Sequence, residues 1–310
     1  MSDTFLSYIP HGIDSKTFFP IDEQNPGSMR KTDEVGVLKN DYELMQKFKR
    51  DLFKEKEFDF IILYNNRNIR RKMVGDVVLA FKEFCDSLDK KYSNKCALVL
   101  HTTPVDQNGT DLPELVRALC PTNNIIFSTA KLTVQYLNYL YNLADVTINI
   151  SSAEGFGLCV AESIMSGTPV IVNTHGGLQD QAGFRNNEGR LLTVDDFSYD
   201  WGTNSDGRYT EHGEWAKVVF PKTISLVGSP PTPYIFDSRC SREDVVDKMQ
   251  EWYNTTKEER KEAALKGREF LLKREIGMSK EHMCDRFMSD MDYMFENWKP
   301  IDNFKLIKAT

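Results

Sequence analysis

Two carboxylates, Glu154 and Glu162, lie eight positions apart in the sequence. Glu154 belongs to the segment Ser151–Leu158 and is followed by a Gly-Phe-Gly turn, whereas Glu162 belongs to the helical pattern after that segment. Gly155 and Gly157 would let backbone N–H groups approach a diphosphate with no side chain in the way. A helix that starts at such a turn adds the positive end of its dipole. Glu154 could accept hydrogen bonds from sugar hydroxyls, and Glu162, about one and a half turns into the helix, could accept those of a ribose. The alternative interpretation is an ordinary strand-loop-helix unit with two solvated glutamates.

A basic segment, residues 66–72, follows an earlier apolar run and carries Arg67 and Lys72 five positions apart. A guanidinium can bind two phosphate oxygens, and an ammonium supplies a point charge. These two cations therefore predict a contact with the same diphosphate. Arg70 and Arg71 add charge that could face solvent. A basic surface is the alternative, but cations at a helix N-terminus oppose the dipole, which favours a functional interpretation.

These motifs resemble those of retaining glycosyltransferases with the glycosyltransferase-B fold, in particular glycosyltransferase family 4. The resemblance is carried by the Glu-x7-Glu string, by Ala144-Asp-Val146 before it and by Gly176-Gly177 after it. In that family the first loop carries Gly-Arg and then Lys five residues on, whereas Asn66 stands here in place of the glycine. Residues 9–20 resemble the strand and turn with which the family enters its C-terminal domain.

The resemblance implies a retaining transferase that uses a nucleoside-diphosphate sugar, a UDP- or GDP-sugar, with no metal and no other cofactor. Arg67 and Lys72 would neutralise the leaving diphosphate and Glu154 would orient the sugar, so these three are the expected catalytic residues. His175 and Gly176 are candidate residues of the sugar site. The expected donor-binding residues are Gly155, Phe156, Gly157, Leu158, Glu162 and, at the nucleotide base, Ser128 and Thr129.

Short apolar runs alternate with segments of helical spacing along most of the chain. This alternation predicts right-handed βαβ units and a parallel sheet with ligands at the carboxyl ends of its strands. The expected fold class is α/β, a Rossmann-like doubly wound parallel sheet of about six strands with C-terminal helices, the C-terminal half of a glycosyltransferase-B fold. The predicted strands are 59–64, 97–100, 124–127, 146–150, 169–172 and 189–192. The predicted helices are 42–54, 74–91, 112–119, 132–143, 158–165, 241–253, 257–273 and 279–298.

Four regions are expected from composition and resemblance. Residues 36–196 and 240–298 would form the nucleotide-sugar-binding domain. Residues 197–239, rich in Gly, Pro, Trp and Tyr, would be an insertion that serves as an acceptor element, a dimer contact or a lid. Residues 1–35 would be a lead-in from an N-terminal domain that this chain lacks, and residues 299–310 a tail. The resemblance thus covers about half of a typical enzyme of the family.

Composition restricts the partners and the compartment. The chain has 310 residues, 40% hydrophobic content and a formal net charge of −7, which disfavours an extended nucleic-acid surface or a basic membrane-binding face. Six cysteines without a Cys-x-x-Cys pair are typical of a reducing compartment and no structural zinc. The first residues show no charged region followed by a long apolar region, so no signal peptide is expected, and the sequence has no apolar stretch of about 18 residues. These features predict a cytoplasmic protein without a membrane-spanning segment.

Three other functions compete with transfer by this chain alone. The chain could be a non-catalytic or partner-dependent nucleotide-sugar-binding half of a split glycosyltransferase, working with a separate acceptor-binding chain or as a homo-oligomer. It could be an epimerase or a phosphorylase on the same fold. It could also act on a nucleic-acid acceptor through the aromatic residues of the insertion, although the net charge of −7 disfavours this.

Overall fold

The secondary structure alternates between strands and helices in a computed structural model that describes residues 5–32, 37–198 and 203–298. The expected tail, 299–310, lies outside the described residues. The strands are β1 (Met29–Lys31), β2 (Leu38–Asn40), β3 (Phe60–Asn65), β4 (Cys96–His101), β5 (Ile125–Ser128), β6 (Val146–Asn149), β7 (Val170–Asn173), β8 (Ala216–Val219), β9 (Thr223–Leu226) and β10 (Phe236–Arg239). The helices are α1 (Asp41–Phe53), α2 (Val74–Asp86), α3 (Lys90–Ser93), α4 (Leu112–Leu119), α5 (Val134–Leu143), α6 (Leu158–Met165), α7 (Gly177–Gln181), α8 (Arg242–Asn254), α9 (Lys257–Leu272) and α10 (Lys280–Asn297), with 3-10 turns at Arg70–Lys72 and Val194–Asp196.

Six strands form one parallel sheet in the order β5-β4-β3-β6-β7-β8. The chain builds from β3 outward to β5, returns to the other side of β3 with β6, and continues outward to β8. The direction of building therefore changes between β3 and β6, where the connections that leave these two strands diverge. The predicted α/β class with a doubly wound parallel sheet is confirmed, and this change of direction marks the usual ligand position in such sheets.

The sheet is covered on both faces, which explains the continuous apolar runs in its strands. Successive residues of β3 point to opposite faces. Ile62 joins a core cluster with Phe81 of α2 and Trp252 of α8. Leu63 joins the other cluster, which includes Phe270 of α9 and residues of α6. The two clusters fix the sheet between helices and hold its carboxyl edge in place.

The sixth strand lies elsewhere than the sequence predicts. Residues 189–192 form no strand; Leu191 makes only an isolated bridge to Arg185, and the chain turns at Gly189, whose φ is 77°. The sixth strand is β8, which pairs in parallel with β7. It falls inside residues 197–239, the expected insertion, which also contains the antiparallel pair of β9 and β10. Part of the expected insertion is therefore an edge strand of the central sheet.

Part of the expected lead-in also packs against the rest of the molecule. The Ile13 N–H donates to the Met278 carbonyl at 2.9 Å, and the Lys280 N–H donates to the Ile13 carbonyl at 3.0 Å. The side chains of Phe18 and Ile21 are buried. This segment thus contributes to the core beside the closing helices.

A buried ion pair ties α9 to the start of β6. The Asp145 carboxylate accepts the Ile61 N–H at 2.8 Å and lies 2.7 Å from the Arg260 guanidinium. Both side chains are largely buried. This contact gives a structural role to the aspartate of the Ala-Asp-Val motif, because it holds β6 beside β3 where the sheet changes direction.

Asp145→Ala is expected to lower the free energy of unfolding by about 3–5 kcal/mol, because it leaves the buried Arg260 guanidinium without its partner. Urea denaturation measures the change. The control is Glu214→Ala, which breaks an exposed pair with Lys266 and should change stability by less than about 1 kcal/mol. Equal effects of the two substitutions would contradict a structural role for the buried pair.

Candidate functional site

Three loops meet at the carboxyl edge of the sheet, after the adjacent strands β3, β6 and β7. The Ser152 N–H donates to the Arg71 carbonyl at 2.8 Å, which joins the first loop to the second. The Gly177 N–H donates to the Gly155 carbonyl at 2.7 Å, which joins the second loop to the third. The loops therefore form one surface beside the point where the sheet changes direction.

A buried ion pair lies at the centre of this surface. The Lys72 ammonium contacts the Glu154 carboxylate, and each side chain is only 8% exposed. Arg71 lies 3.8 Å from the other oxygen of Glu154 and donates to the Ala153 carbonyl at 2.6 Å. Asn149 donates to Glu154 at 3.4 Å. Two cations from the first loop thus converge on the carboxylate of the second.

The shape of the first loop comes from a buried asparagine and a short turn. Asn68 is fully buried, and its amide donates to three carbonyls of the neighbouring loop, among them that of Thr110 at 2.7 Å. The 3-10 turn Arg70–Lys72 ends at Met73, whose φ of 54° lies in the left-handed region. Tyr64 donates to the Lys72 carbonyl at 3.3 Å. These contacts direct Lys72 toward the second loop.

Arg67 pairs with Asp106 rather than with Glu154. Its guanidinium lies 3.3 Å from Asp106, and its side chain is 63% exposed. Arg71, for which the sequence leaves a solvent-facing position open, lies beside Glu154. Asn66, which replaces the glycine of the resembling family, donates to the Cys159 thiol at 3.4 Å at the start of α6. The spacing of the basic residues does not predict that Arg71 lies beside Glu154, because its position depends on the 3-10 turn.

Glu162 lies close to the ion pair, on α6. It accepts a hydrogen bond from the Tyr141 hydroxyl at 2.8 Å, and that hydroxyl accepts one from Asn65 at 2.7 Å. Burial raises the pKa of Glu162. Cys159 is near enough to Lys72, Glu154 and Glu162 for each charge to act on its thiol, whose pKa burial raises to about 12. Tyr141 and Asn65 orient the carboxylate, and neither residue was predicted from the sequence.

The third loop supports the second through His175 and Gly176. The Glu154 N–H donates to His175 Nδ1 at 3.1 Å. Gly176 has a φ of 54°, and a Cβ added there would lie 2.0 Å from the Glu154 carbonyl. A Cβ at Gly155, by contrast, would meet nothing within 4 Å. Gly176 therefore allows the loops to pack together, whereas Gly155 borders open space.

The remaining expected donor residues lie at the same edge of the sheet. Phe156 and Gly157 complete the turn before Leu158, the first residue of α6, which is half exposed. Ser128 ends β5, which lies two strands from β3, and Thr129 follows it. His101 Nδ1 lies 3.0 Å from the Ser128 hydroxyl, and Thr129 is exposed.

The helices that begin at the three loops lack the side-chain caps seen elsewhere. Asp111 and Thr133 cap α4 and α5, which follow β4 and β5. Within the described residues, the N-cap positions of α2, α6 and α7 (Met73, Gly157 and Gly176) make no side-chain capping bond. The first N–H groups of a helix that lack such a cap are suited to an anion.

A cavity of about 530 Å³ lies at the opposite edge of the sheet, between α1, α9 and the lead-in. Three cations that line it are already paired: Arg260 with Asp145, Lys261 with Asp22, and Lys49 with Glu57 outside the lining. The cavity also lies at the amino ends of the strands, away from the usual ligand position of such sheets. We therefore place the candidate site at the three loops.

The described residues, 5–32, 37–198 and 203–298, show neither a metal site nor a membrane-spanning helix. No group of three or more of their His, Cys, Asp or Glu side chains is placed to hold a metal ion. No helix of these ranges combines the length and the apolar character needed to cross a bilayer.

The region that holds the three loops is similar to known proteins. Residues 45–195 match the family model of glycosyl transferases group 1. The α-monoglucosyldiacylglycerol synthase of Acholeplasma laidlawii is 25% identical over 181 residues, which cover 55% of this chain and 36% of that protein. The strands β3 to β7 all lie in the matched region, so this part of the chain is similar to glycosyl transferases.

Solved structures share the fold over nearly the whole chain. Sucrose-phosphate synthase of Thermosynechococcus elongatus superposes with a TM-score of 0.58 at 18% identity, over 94% of this chain and 53% of that one. HepE of Anabaena, solved in complex with UDP and glucose, gives a TM-score of 0.58 at 12% identity, over 92% and 56%. The chain thus spans about half the length of these proteins and about a third of the curated relative.

Gly176→Ala is expected to lower the free energy of unfolding by more than about 2 kcal/mol, because the left-handed φ and the contact with the Glu154 carbonyl both oppose a Cβ. Thermal and urea denaturation measure this. Gly155→Ala is the matched control in the same surface and should leave the melting temperature nearly unchanged. A tolerated Gly176→Ala would show that the loops do not pack as described.

Proposed function

We propose that the three loops bind the diphosphate of a nucleoside-diphosphate sugar, and that the chain serves a retaining, metal-independent glycosyltransferase. The observation that carries this proposal is the contact of Lys72 with Glu154 beside the point where the sheet changes direction. Two cations, a carboxylate and the start of α6 come together there. The match of residues 45–195 to glycosyl transferases group 1 supports the same reading.

In the proposed mechanism the cations act on the leaving group. Negative charge grows on the diphosphate as the bond to the sugar breaks, so donors already in place lower the barrier. Lys72 and Arg71 supply that charge where other enzymes use a metal ion. Arg67 is a further cationic arm, since its exposed pair with Asp106 costs little to break. The N–H groups from Gly155 to Leu158 would bind the phosphate oxygens.

The carboxylates would hold hydroxyl groups at the two ends of the diphosphate. Glu154, fixed by Lys72, would orient the sugar, and His175 and Gly176 would line the sugar site. Glu162, oriented by Tyr141, would accept hydrogen bonds from the ribose. Ser128 and Thr129 would contact the base. UDP is a reasonable first candidate, because HepE of Anabaena was solved with it; GDP is the second.

A second candidate function is donor binding without transfer by this chain alone. The chain matches only 36% of the curated relative and about half of each solved chain. The acceptor could then be bound by a separate chain or by a second copy. Transfer that appears only after a second chain is added would favour this function over the first.

Calorimetric titration with UDP and GDP tests the proposal, and we expect the same affinity with EDTA and with magnesium. Lys72→Ala and Arg71→Ala should each weaken binding by about 1–3 kcal/mol, because each removes a charged hydrogen bond. Lys82→Ala, which breaks an exposed pair within α2, is the control. Absence of binding to either nucleotide, or an absolute need for magnesium, would contradict the proposal.

Glu162→Gln is expected to stabilise the fold while it weakens nucleotide binding. Burial raises the pKa of Glu162 above its ordinary value. The stability that this shift contributes is fully present below the pKa of the unfolded chain and is lost as pH rises through the pKa of the folded protein. Glutamine stays neutral and can still accept from Tyr141. At pH 8 the variant should therefore be more stable by about 0.5–2 kcal/mol.

Urea denaturation between pH 5 and pH 8 and calorimetry at pH 8 check both parts of this expectation. The gain in stability should shrink as pH falls, because wild-type Glu162 becomes protonated. Nucleotide binding that is equally tight in the variant would remove Glu162 from the ribose site, whatever happens to the stability.

A further inference from the structure

The pair β9–β10 forms a closed hairpin. Its strands pair antiparallel from Thr223 opposite Arg239 to Leu226 opposite Phe236. The pairing continues beyond the strands, where the Val227 N–H donates to the Ile235 carbonyl at 2.7 Å. The hairpin extends about 20 Å from base to tip at the usual rise of a strand.

Beyond Asp237 and Arg239 at its base, the hairpin carries no charged side chain, and its tip is exposed. Residues 223–236 are 14 in number and include no Asp, Glu, Lys or Arg, although 27% of the chain is charged, which predicts about four. Tyr234 is 82% exposed, Leu226 57% and Val227 47%. A two-stranded ribbon is marginally stable by itself in water, and clustered exposed apolar side chains indicate an interaction surface.

The tip satisfies its polar groups internally. The N–H groups of Ser229 and Thr232 each donate to the carbonyl of the other residue at 3.0 Å, and their hydroxyls lie 2.8 Å apart. Pro230 and Pro231 between them have no N–H. The main cost of burying backbone in an apolar medium comes from unpaired N–H and C=O groups. Few donors of the tip would be left unpaired in such a medium, so this cost would be small.

The same features oppose strand addition by another protein. A strand that adds to an edge requires a row of N–H and C=O groups, but the strands of the hairpin are four residues long and prolines follow at 230, 231 and 233. Short edges with prolines are typical of edges that do not pair. The apolar side chains, rather than the backbone, are thus the part suited to a partner.

The base of the hairpin is bonded to the candidate site. The Ser238 N–H donates to the Ser152 carbonyl at 2.8 Å. The Asn173 amide donates to the carbonyls of Ser238 at 2.8 Å and Ser151 at 2.9 Å. A partner that fixes the position of the hairpin would therefore also fix the position of the loop that carries Glu154.

We propose that the tip of the hairpin, residues 226–234, inserts into the interfacial region of a lipid bilayer and holds the donor site beside a lipid-borne acceptor. Tyr234 suits that region because its ring is apolar and its hydroxyl polar. Lys222 and Arg239 at the base are paired with Asp244 and Asp237 at 3.1 and 2.7 Å, so the apolar tip rather than the base would make the contact. Membrane contact stands by itself, whereas the class of acceptor rests on the glycosyltransferase function proposed above.

Flotation with phosphatidylcholine vesicles tests membrane contact without any nucleotide. Wild-type protein should float with the vesicles. Tyr234→Asp and the triple variant Leu226→Ser/Val227→Ser/Tyr234→Ser should reduce the bound fraction by about fivefold or more, because both remove apolar contact with the interface. The single variant changes one side chain at an exposed position, so it should fold normally.

The matched control is Phe287→Ser/Met288→Ser on α10, where both side chains are also more than half exposed. It should float like the wild-type protein. In addition, Tyr234→Trp should gain fluorescence that brominated lipids quench. Failure of the wild-type protein to float, or loss of flotation in the α10 variant but not in the hairpin variants, would overturn the proposal.

Calorimetry on the same variants separates this inference from the proposed function. The hairpin variants should bind nucleoside diphosphate as the wild-type protein does, since residues 226–234 lie outside the donor site. Flotation without nucleotide binding would support the membrane contact and contradict the proposed transferase function. Nucleotide binding without flotation would support the donor site and contradict the membrane contact.

Discussion

Lys72 and Glu154 come from loops that are 82 positions apart in the chain, and both charges are almost completely removed from water. Opposite charges in such a place are tolerated only when they are paired, because each alone would bear a large desolvation cost. The two loops must therefore stay together. That requirement explains the adjacency of β3 and β6, the Asp145–Arg260 contact below them, and the glycines of the third loop on which the second rests.

The sequence was sufficient for five of the six strands of the parallel sheet and for most helices, because their apolar runs and helical spacing are local signals. It gave no indication of the two short antiparallel pairs, β1–β2 and β9–β10. It failed for β8, a four-residue strand between Trp215 and Phe220, whereas the apolar pair Leu191-Leu192 looked more like a strand. An edge strand is selected by the neighbour it pairs with, which periodicity does not record. The family motif likewise drew attention to Arg67, but the 3-10 turn and the buried Asn68 bring Arg71 to Glu154.

The two edges of the sheet illustrate the difference between shape and chemistry. The amino edge has the cavity of about 530 Å³, yet several of the charges there are engaged in structural pairs. The carboxyl edge is more open, but it brings together cations, carboxylates and uncapped helix starts from three connections. A ligand with two phosphate groups and several hydroxyls fits the second set of groups, since charge and hydrogen bonding rather than enclosure would recognise it.

Amide hydrogen exchange with and without nucleoside diphosphate, in EDTA, tests the central claim most directly. Bound nucleotide should slow exchange in residues 66–73 and residues 153–160 together, because in the proposed site one diphosphate would contact both loops. Protection of one loop without the other would contradict the shared site. Protection of residues 20–24 and 257–261, which border the cavity at the opposite edge, would move the nucleotide to the other end of the sheet.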